Sequence, residues 1–391
     1  MKLKYTLILI CLILAACAGG TTAAPVDVET SYIEPELRSI ETETVSVIIT
    51  AKNDWEAAAR AVERVGGQVT SELWIIDAVA ADIPADQINQ LAAEPDIRSV
   101  VRNKGVKSSQ DPQWDGWATD YPITVPYNGS PDAQATNDDG IWEMVNPVSI
   151  DVGADIVHNT GVDGQGVGIA VLDSGVFFET TIKNKFNDHL NQNFFGQVDF
   201  VGNGDCPPGG SRDQYAGYCF ANKDNSYDGH GHGSHISGII WNNITDQDTG
   251  VKLGIAPGAG LLSVRVLDSN GTGTYADVIE GIQYVVVNKD THNIRVMNMS
   301  LSAYPTTPYF EDPLNRAVEV AWANDIVVVV VAGNSGPGSE SITVPGNDPY
   351  VITVGAVGNP RTPGYWGDDY LPTWSATGPT WDGFAKPDVL A

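Results

Sequence analysis

Between Asp325 and Gly336 the chain reads DIVVVVVAGNSG. Five successive valines behind an isoleucine leave no polar face, so this segment suits a strand covered on both sides rather than one with a wet surface. VGIAVLDSGV (167–176) has the same character, as do Leu261–Val266, Val296–Leu301 and Val351–Val357. Between these runs lie stretches with helical periodicity, at Ile150–Asn159, Ala276–Val287 and Asn315–Ala323. Buried strands alternating with amphipathic helices predict an α/β fold: a mostly parallel sheet with helices on both faces.

Two of these strands run into polar residues, Asp173 and Asn334. Between them in sequence lies DGHGHGSHISG (228–238), which leads into an apolar stretch that reads as a helix start. Folds of this kind keep their chemistry where strands end and helices begin. A histidine at such a point can move protons near neutral pH, and a carboxylate beside it can fix its tautomer. A rival reading makes His230, His232 and His235 zinc ligands, but nothing nearby supplies a typical fourth ligand motif.

LDSG, HGSH and AGNSG, in that order, resemble the motifs of the subtilisin-like (subtilase) serine proteases. GIAPGAGLLSVRVLD (254–268), NGTGTY (270–275), VMNMSLS (296–302) and ATGPTWDGFAKPDVLA (376–391) extend the resemblance, which runs from about Asn146 to Ala391. It implies a subtilisin-like fold acting on polypeptide substrates. His232 would be the general base, Asp173 its orienting acid and Asn334 the oxyanion donor. Gly271, Gly273, Ser300, Leu301 and Ser302, with Gly333 beside Asn334, would bind the substrate backbone. His235 matches the family's second, structural histidine, and His230 is expected to face solvent.

The sequence departs from the family at several positions. Ser302 stands where glycine is common, and Ile182 occupies a region that often holds a calcium-binding aspartate. The chemistry needs no cofactor; a structural Ca²⁺ is compatible with the acidic loops, at no assigned site. The family's nucleophile lies in a GTS-type segment after the stretch matched by KPDVLA, and the sequence ends at Ala391. The 391 residues on their own are therefore expected to be inactive.

Residues 1–17 read as a lipoprotein signal peptide, with Cys17 as the lipidated residue. This predicts a bacterial cell-envelope or extracellular protein, anchored to the membrane through lipid. Residues 18–44 are an acidic tether. Residues 45–106 show a β-α-β-β-α-β pattern, the ferredoxin-like α+β arrangement. The unit also resembles the subtilase propeptide, which implies an intramolecular inhibitor. Residues 107–148 read as a linker holding the processing region, and 149–391 as the peptidase domain.

A net charge of −28 argues against a nucleic-acid partner, whose phosphates it would repel. Cys206 and Cys219 are most simply a disulfide in an exported protein, with free thiols or a metal site as alternatives. A rival from another class is a catalytically inactive, peptide-binding surface lipoprotein that kept the cleft.

Overall fold

The computed structural model describes residues 31–40, 44–109, 148–178, 187–201, 211–212, 218–245, 250–358 and 366–391. Cys17, Ile182 and Cys206 lie outside them.

The first unit is a five-stranded sheet of β1 (Tyr32–Ile33), β2 (Thr44–Ala51), β3 (Gln68–Leu73), β4 (Ala78–Pro84) and β5 (Ile97–Arg102), in the order β1-β5-β2-β4-β3. β1 runs parallel to β5 and the other neighbours pair antiparallel. Helices α1 (Trp55–Arg64) and α2 (Ile88–Ala92) pack on this sheet. Asp54 caps α1 by accepting from the Glu56 amide at 3.0 Å. Ala57, Ala58, Ala61 and Val62 line its buried side.

The apolar run in β2 follows from burial on both sides. Val47 and Ile49 pack with α1 and α2, whereas Ile48 joins Leu73, Ile76, Ala78 and Ala80 in the core of the larger domain. Residues 31–40, read from the sequence as tether, carry β1 and a short 3-10 helix at Pro35–Ser39, with Leu37 buried.

β6 (Gly105–Ser108) leaves the first unit and pairs elsewhere. The helical segments α3 (Val148–Asp151) and α4 (Ala154–His158) then precede β7 (Gly168–Asp173). After β7 come α5 (Asn187–Asn193), β8 (Phe194–Asp199), β9 (Ser211–Arg212), β10 (Cys219–Ala221), α6 (His232–Trp241) and β11 (Gly260–Arg265). Next are β12 (Thr272–Thr274), α7 (Tyr275–Asn288), β13 (Ile294–Met299), β14 (Leu301–Ser302) and α8 (Pro313–Ala323). β15 (Val327–Val331), β16 (Ile352–Gly355) and β17 (Val389–Leu390) complete the order.

These strands form a nine-stranded sheet, β17-β16-β15-β13-β7-β11-β8-β10-β9, parallel from β17 to β8. β10 and β9 extend it antiparallel. The segment between β7 and α6 donates β8, β9 and β10 to this sheet. Every residue of the central strands β7 and β11 is buried. α7 starts at a capping box: Thr274 accepts from the Asp277 amide while Asp277 accepts from the Thr274 amide.

Two side chains of α7 hold the first unit. Gln283 accepts from the Ile75 amide at 3.2 Å and donates to the Glu72 carbonyl at 3.1 Å. Glu280 accepts from the Ser71 hydroxyl. Burial, helped by the charge of Asp277, pushes the Glu280 carboxyl up from 4.5 to about 7, while the Ser71 bond pulls the other way. If the first unit left, solvent would return Glu280 towards its ordinary value. The raised value marks a grip that is fully present below about pH 4.5 and lost as pH rises through about 7. After cleavage between the two parts, the first unit should leave roughly tenfold or more faster above about pH 8 than below about pH 5. Surface plasmon resonance can follow this, and Glu280→Gln should flatten the profile. A flat profile in the unaltered protein would remove Glu280 from control of the grip.

Candidate active site

Asp173 is the last residue of β7, at the carboxyl end of the central strand, and His232 is the first residue of α6. His232 Nδ1 lies 2.8 and 2.9 Å from the two Asp173 carboxylate oxygens. The Ser174 amide donates to Asp173 Oδ1 at 2.7 Å. The pair is shut away from water, His232 being 3% and Asp173 1% exposed.

Helix and strand approach closely because residue 233 is glycine. A Cβ there would stand 2.2 Å from the Gly175 carbonyl oxygen. Asp228 holds the turn before α6, accepting from the Gly231 and Ser234 amides, both at 2.8 Å, and from the Ser234 hydroxyl at 2.7 Å. Burial works against its charge, but these hydrogen bonds outweigh it and keep the carboxyl below its usual range. Gln197 of β8 supports the opposite wall. It accepts from the Val176 amide and donates to the Tyr227 carbonyl, both at 2.9 Å. Sequence reading gave neither Asp228 nor Gln197 a role. Asp228 at the head of the histidine stretch is a legible turn residue, whereas Gln197 carries no sequence signal.

β6 is the middle strand of a second sheet, antiparallel to both β12 and β14. Its register sets Thr272 opposite Lys107, Gly273 opposite Val106, Leu301 opposite Ser108 and Ser302 opposite Lys107. The Ser108 amide donates to the Gly271 carbonyl at 2.8 Å and the Ser109 amide to the Ser300 carbonyl at 3.0 Å. Asn334 Nδ2 donates to the Ser109 carbonyl. The Ser109 hydroxyl lies 2.9 Å from His232 Nε2, on the far side of the ring from Asp173. Asp173, His232, Asn334, Gly271, Gly273, Ser300, Leu301 and Ser302 thus surround a single extended segment of the chain. Gly333, at φ 109°, leads the backbone to Asn334; a Cβ there would lie 2.6 Å from Thr343 Oγ1.

Of the two other histidines in this stretch, His230 differs from its expected place. His230 is half-buried, its Nδ1 hidden from solvent, and its ring centre lies 6.1 Å from that of His232. His235 is exposed, because the buried side of α6 runs through His232, Gly233, Ser237 and Trp241. Both ring nitrogens of His232 are engaged, and among the described residues no group of three or more His, Cys, Asp or Glu could hold a metal ion. Cys219 is buried in β10. No helix among the described residues is long and apolar enough to cross a membrane.

A cleft of about 230 Å³ opens beside Ser109, walled by Ser302, Tyr304, Asn334, Ser335 and Thr343. A larger cavity of about 340 Å³ lies at the opposite ends of the strands, around Gly166, Gly260 and His292. Ser109, whose hydroxyl meets His232, lines the smaller one.

An acid at a central strand end, an imidazole at a helix start and an amide donor one loop away form an arrangement similar to that of the subtilisin-like proteins. The Subtilase family model matches residues 164–391, and a second model, "Putative peptidase inhibitor domain", matches residues 25–101. The chain belongs to the subtilase family. It is 37% identical over 236 residues to the serine protease AprX of Bacillus subtilis (strain 168), covering 58% of this chain and 46% of that one. Subtilisin E of the same organism is 30% identical over 295 residues, 75% of this chain and 59% of the relative. Fervidolysin from Fervidobacterium pennivorans, a keratinolytic enzyme related to subtilisin, has the same fold. That likeness has a TM-score of 0.58 at 21% identity over 90% of this chain and 49% of that one. The chain thus spans about half the length of the relatives it matches.

Proposed function

We propose that the protein is an exported serine endopeptidase whose first unit is an intramolecular inhibitor. The observation that carries this reading is the segment ending at Ser109. Its backbone is bonded on both edges, its last carbonyl is held by Asn334, and it touches the imidazole nitrogen that faces away from Asp173. A polypeptide lying in this way presents a carbonyl carbon to attack, with a donor placed where negative charge would develop.

In the proposed mechanism a seryl hydroxyl attacks that carbon while His232 Nε2 takes its proton. Asp173 keeps Nδ1 protonated and stabilises the imidazolium, and Asn334 stabilises the oxyanion. The nucleophile is assigned to the family's GTS-type segment. The reading also includes a lipid anchor at Cys17 and a Cys206–Cys219 bridge. No cofactor enters the chemistry.

A fluorophosphonate probe tests the reading. In the full-length protein it should label one serine and stop digestion of unfolded casein in proportion. Digestion that continues without labelling would sink the serine mechanism. An unlabelled protein that binds peptides without cutting them would instead be the inactive lipoprotein.

A further inference from the structure

We infer that the larger domain carries a lysine-binding subsite, built from Tyr275, Thr306 and Asp312, which favours substrates bearing a lysine five residues ahead of the residue whose carbonyl Asn334 holds. The inference rests on the endopeptidase reading and names a side chain that its substrates present.

The backbone brings that side chain to the site. β6 pairs with β12 as far back as Gly105, opposite Thr274, and the Tyr275 amide then donates to the Lys104 carbonyl at 2.9 Å. Lys104 precedes Ser109, the residue held by Asn334, by five positions. These bonds use main-chain atoms alone. A substrate strand laid along β12 would therefore set its own residue at the place of Lys104, whatever its sequence.

The seat suits an ammonium group. Lys104 Nζ donates to Thr306 Oγ1 at 2.6 Å and to Asp312 Oδ2 at 3.2 Å, and it stands 5.2 Å from the centre of the Tyr275 ring. Its side chain is 10% exposed, and Tyr275 and Asp312 are fully buried. Asp312 divides its two oxygens. Oδ1 accepts from the Leu314 and Asn315 amides at the start of α8, at 2.9 and 3.3 Å. Oδ2 accepts from the Tyr275 hydroxyl at 3.1 Å and meets the ammonium. The carboxylate thus stands between the cation and a helix end that would repel it.

Ownership of these groups sets what remains once the first unit leaves. Glu34, 3.8 Å from Lys104 Nζ, belongs to the segment 31–40 and departs with that unit. Tyr275, Thr306 and Asp312 stay. Asp312 then lacks a cation, and a substrate lysine supplies it. An acidic side chain in the same place would be repelled, and an apolar one would cover the carboxylate without pairing it.

Competition against casein digestion by the full-length protein tests this. A synthetic heptapeptide copying residues 103–109 should inhibit competitively. Norleucine in place of its first lysine keeps the stem and drops the charge, and should raise the inhibition constant about tenfold or more. The same change at its second lysine, the counterpart of exposed Lys107, should leave the constant within about twofold. Asp312→Asn keeps an oxygen for the α8 amides and removes the charge, so it should erase the difference at the first lysine. Thr306→Val leaves that helix cap untouched and should narrow the difference about threefold, which carries the test if Asp312→Asn does not fold. Equal inhibition by the lysine and norleucine peptides overturns the proposal. So does a difference that survives both variants, or one matched at the second lysine. No inhibition by any peptide at millimolar level, with casein digestion intact, overturns it and leaves the endopeptidase reading standing. Absence of casein digestion in the unaltered protein removes both.

Discussion

His232→Ala in the full-length protein is expected to lower kcat on peptide substrates by about 10⁶-fold, a figure carried over from subtilisin itself. Alanine leaves the nucleophile without a base, and it also strips Asp173 of its partner. Asp173 is 1% exposed and keeps the Ser174 amide, so the variant should also lose about 1–3 kcal/mol of stability. Steady-state rates and a denaturant titration separate the two effects. Turnover near the unaltered rate would take His232 out of the base's role, whatever happens to stability.

Asp173→Asn should cost about 10⁴-fold in kcat while leaving the fold and KM close to normal. An amide at this position offers N–H where the carboxylate offered lone pairs. His232 Nδ1, 2.8 Å away, would then accept, and the ring's proton would move to Nε2. An imidazole protonated at Nε2 cannot take a proton from a hydroxyl. Nitrogen chemical shifts of the ring should show the tautomer change directly. A variant with the original tautomer and full activity would contradict the role assigned to Asp173.

Asp173, His232 and Asn334 were legible as a cluster because local pattern and tertiary position agree at them. Asp173 and Asn334 follow apolar runs that can only be buried strands, and His232 opens a helix among glycines that permit close packing. The segment that fills the cleft was not legible. GVKSS lacks the length and apolar alternation of a strand and sits at the head of a polar stretch. It becomes one because β12 and β14 offer unpaired edges at the right separation, a tertiary cause with no local trace. β1 escaped for the same reason, two residues being too few to show a period. The fate of His230 turned on what stands over Gly271, which no spacing within the histidine stretch records.

β6 and the two strands that grip it belong to one covalent chain. Such a segment competes for the cleft at an effective concentration of about millimolar, whatever the concentration of the protein. A free peptide at ordinary levels therefore meets an occupied site, even where its intrinsic affinity equals that of β6. Cutting the connection changes the order of the reaction rather than any contact. Rebinding then becomes bimolecular, and occupancy falls with dilution. The same cleft would stay closed in a concentrated compartment and open in a dilute one.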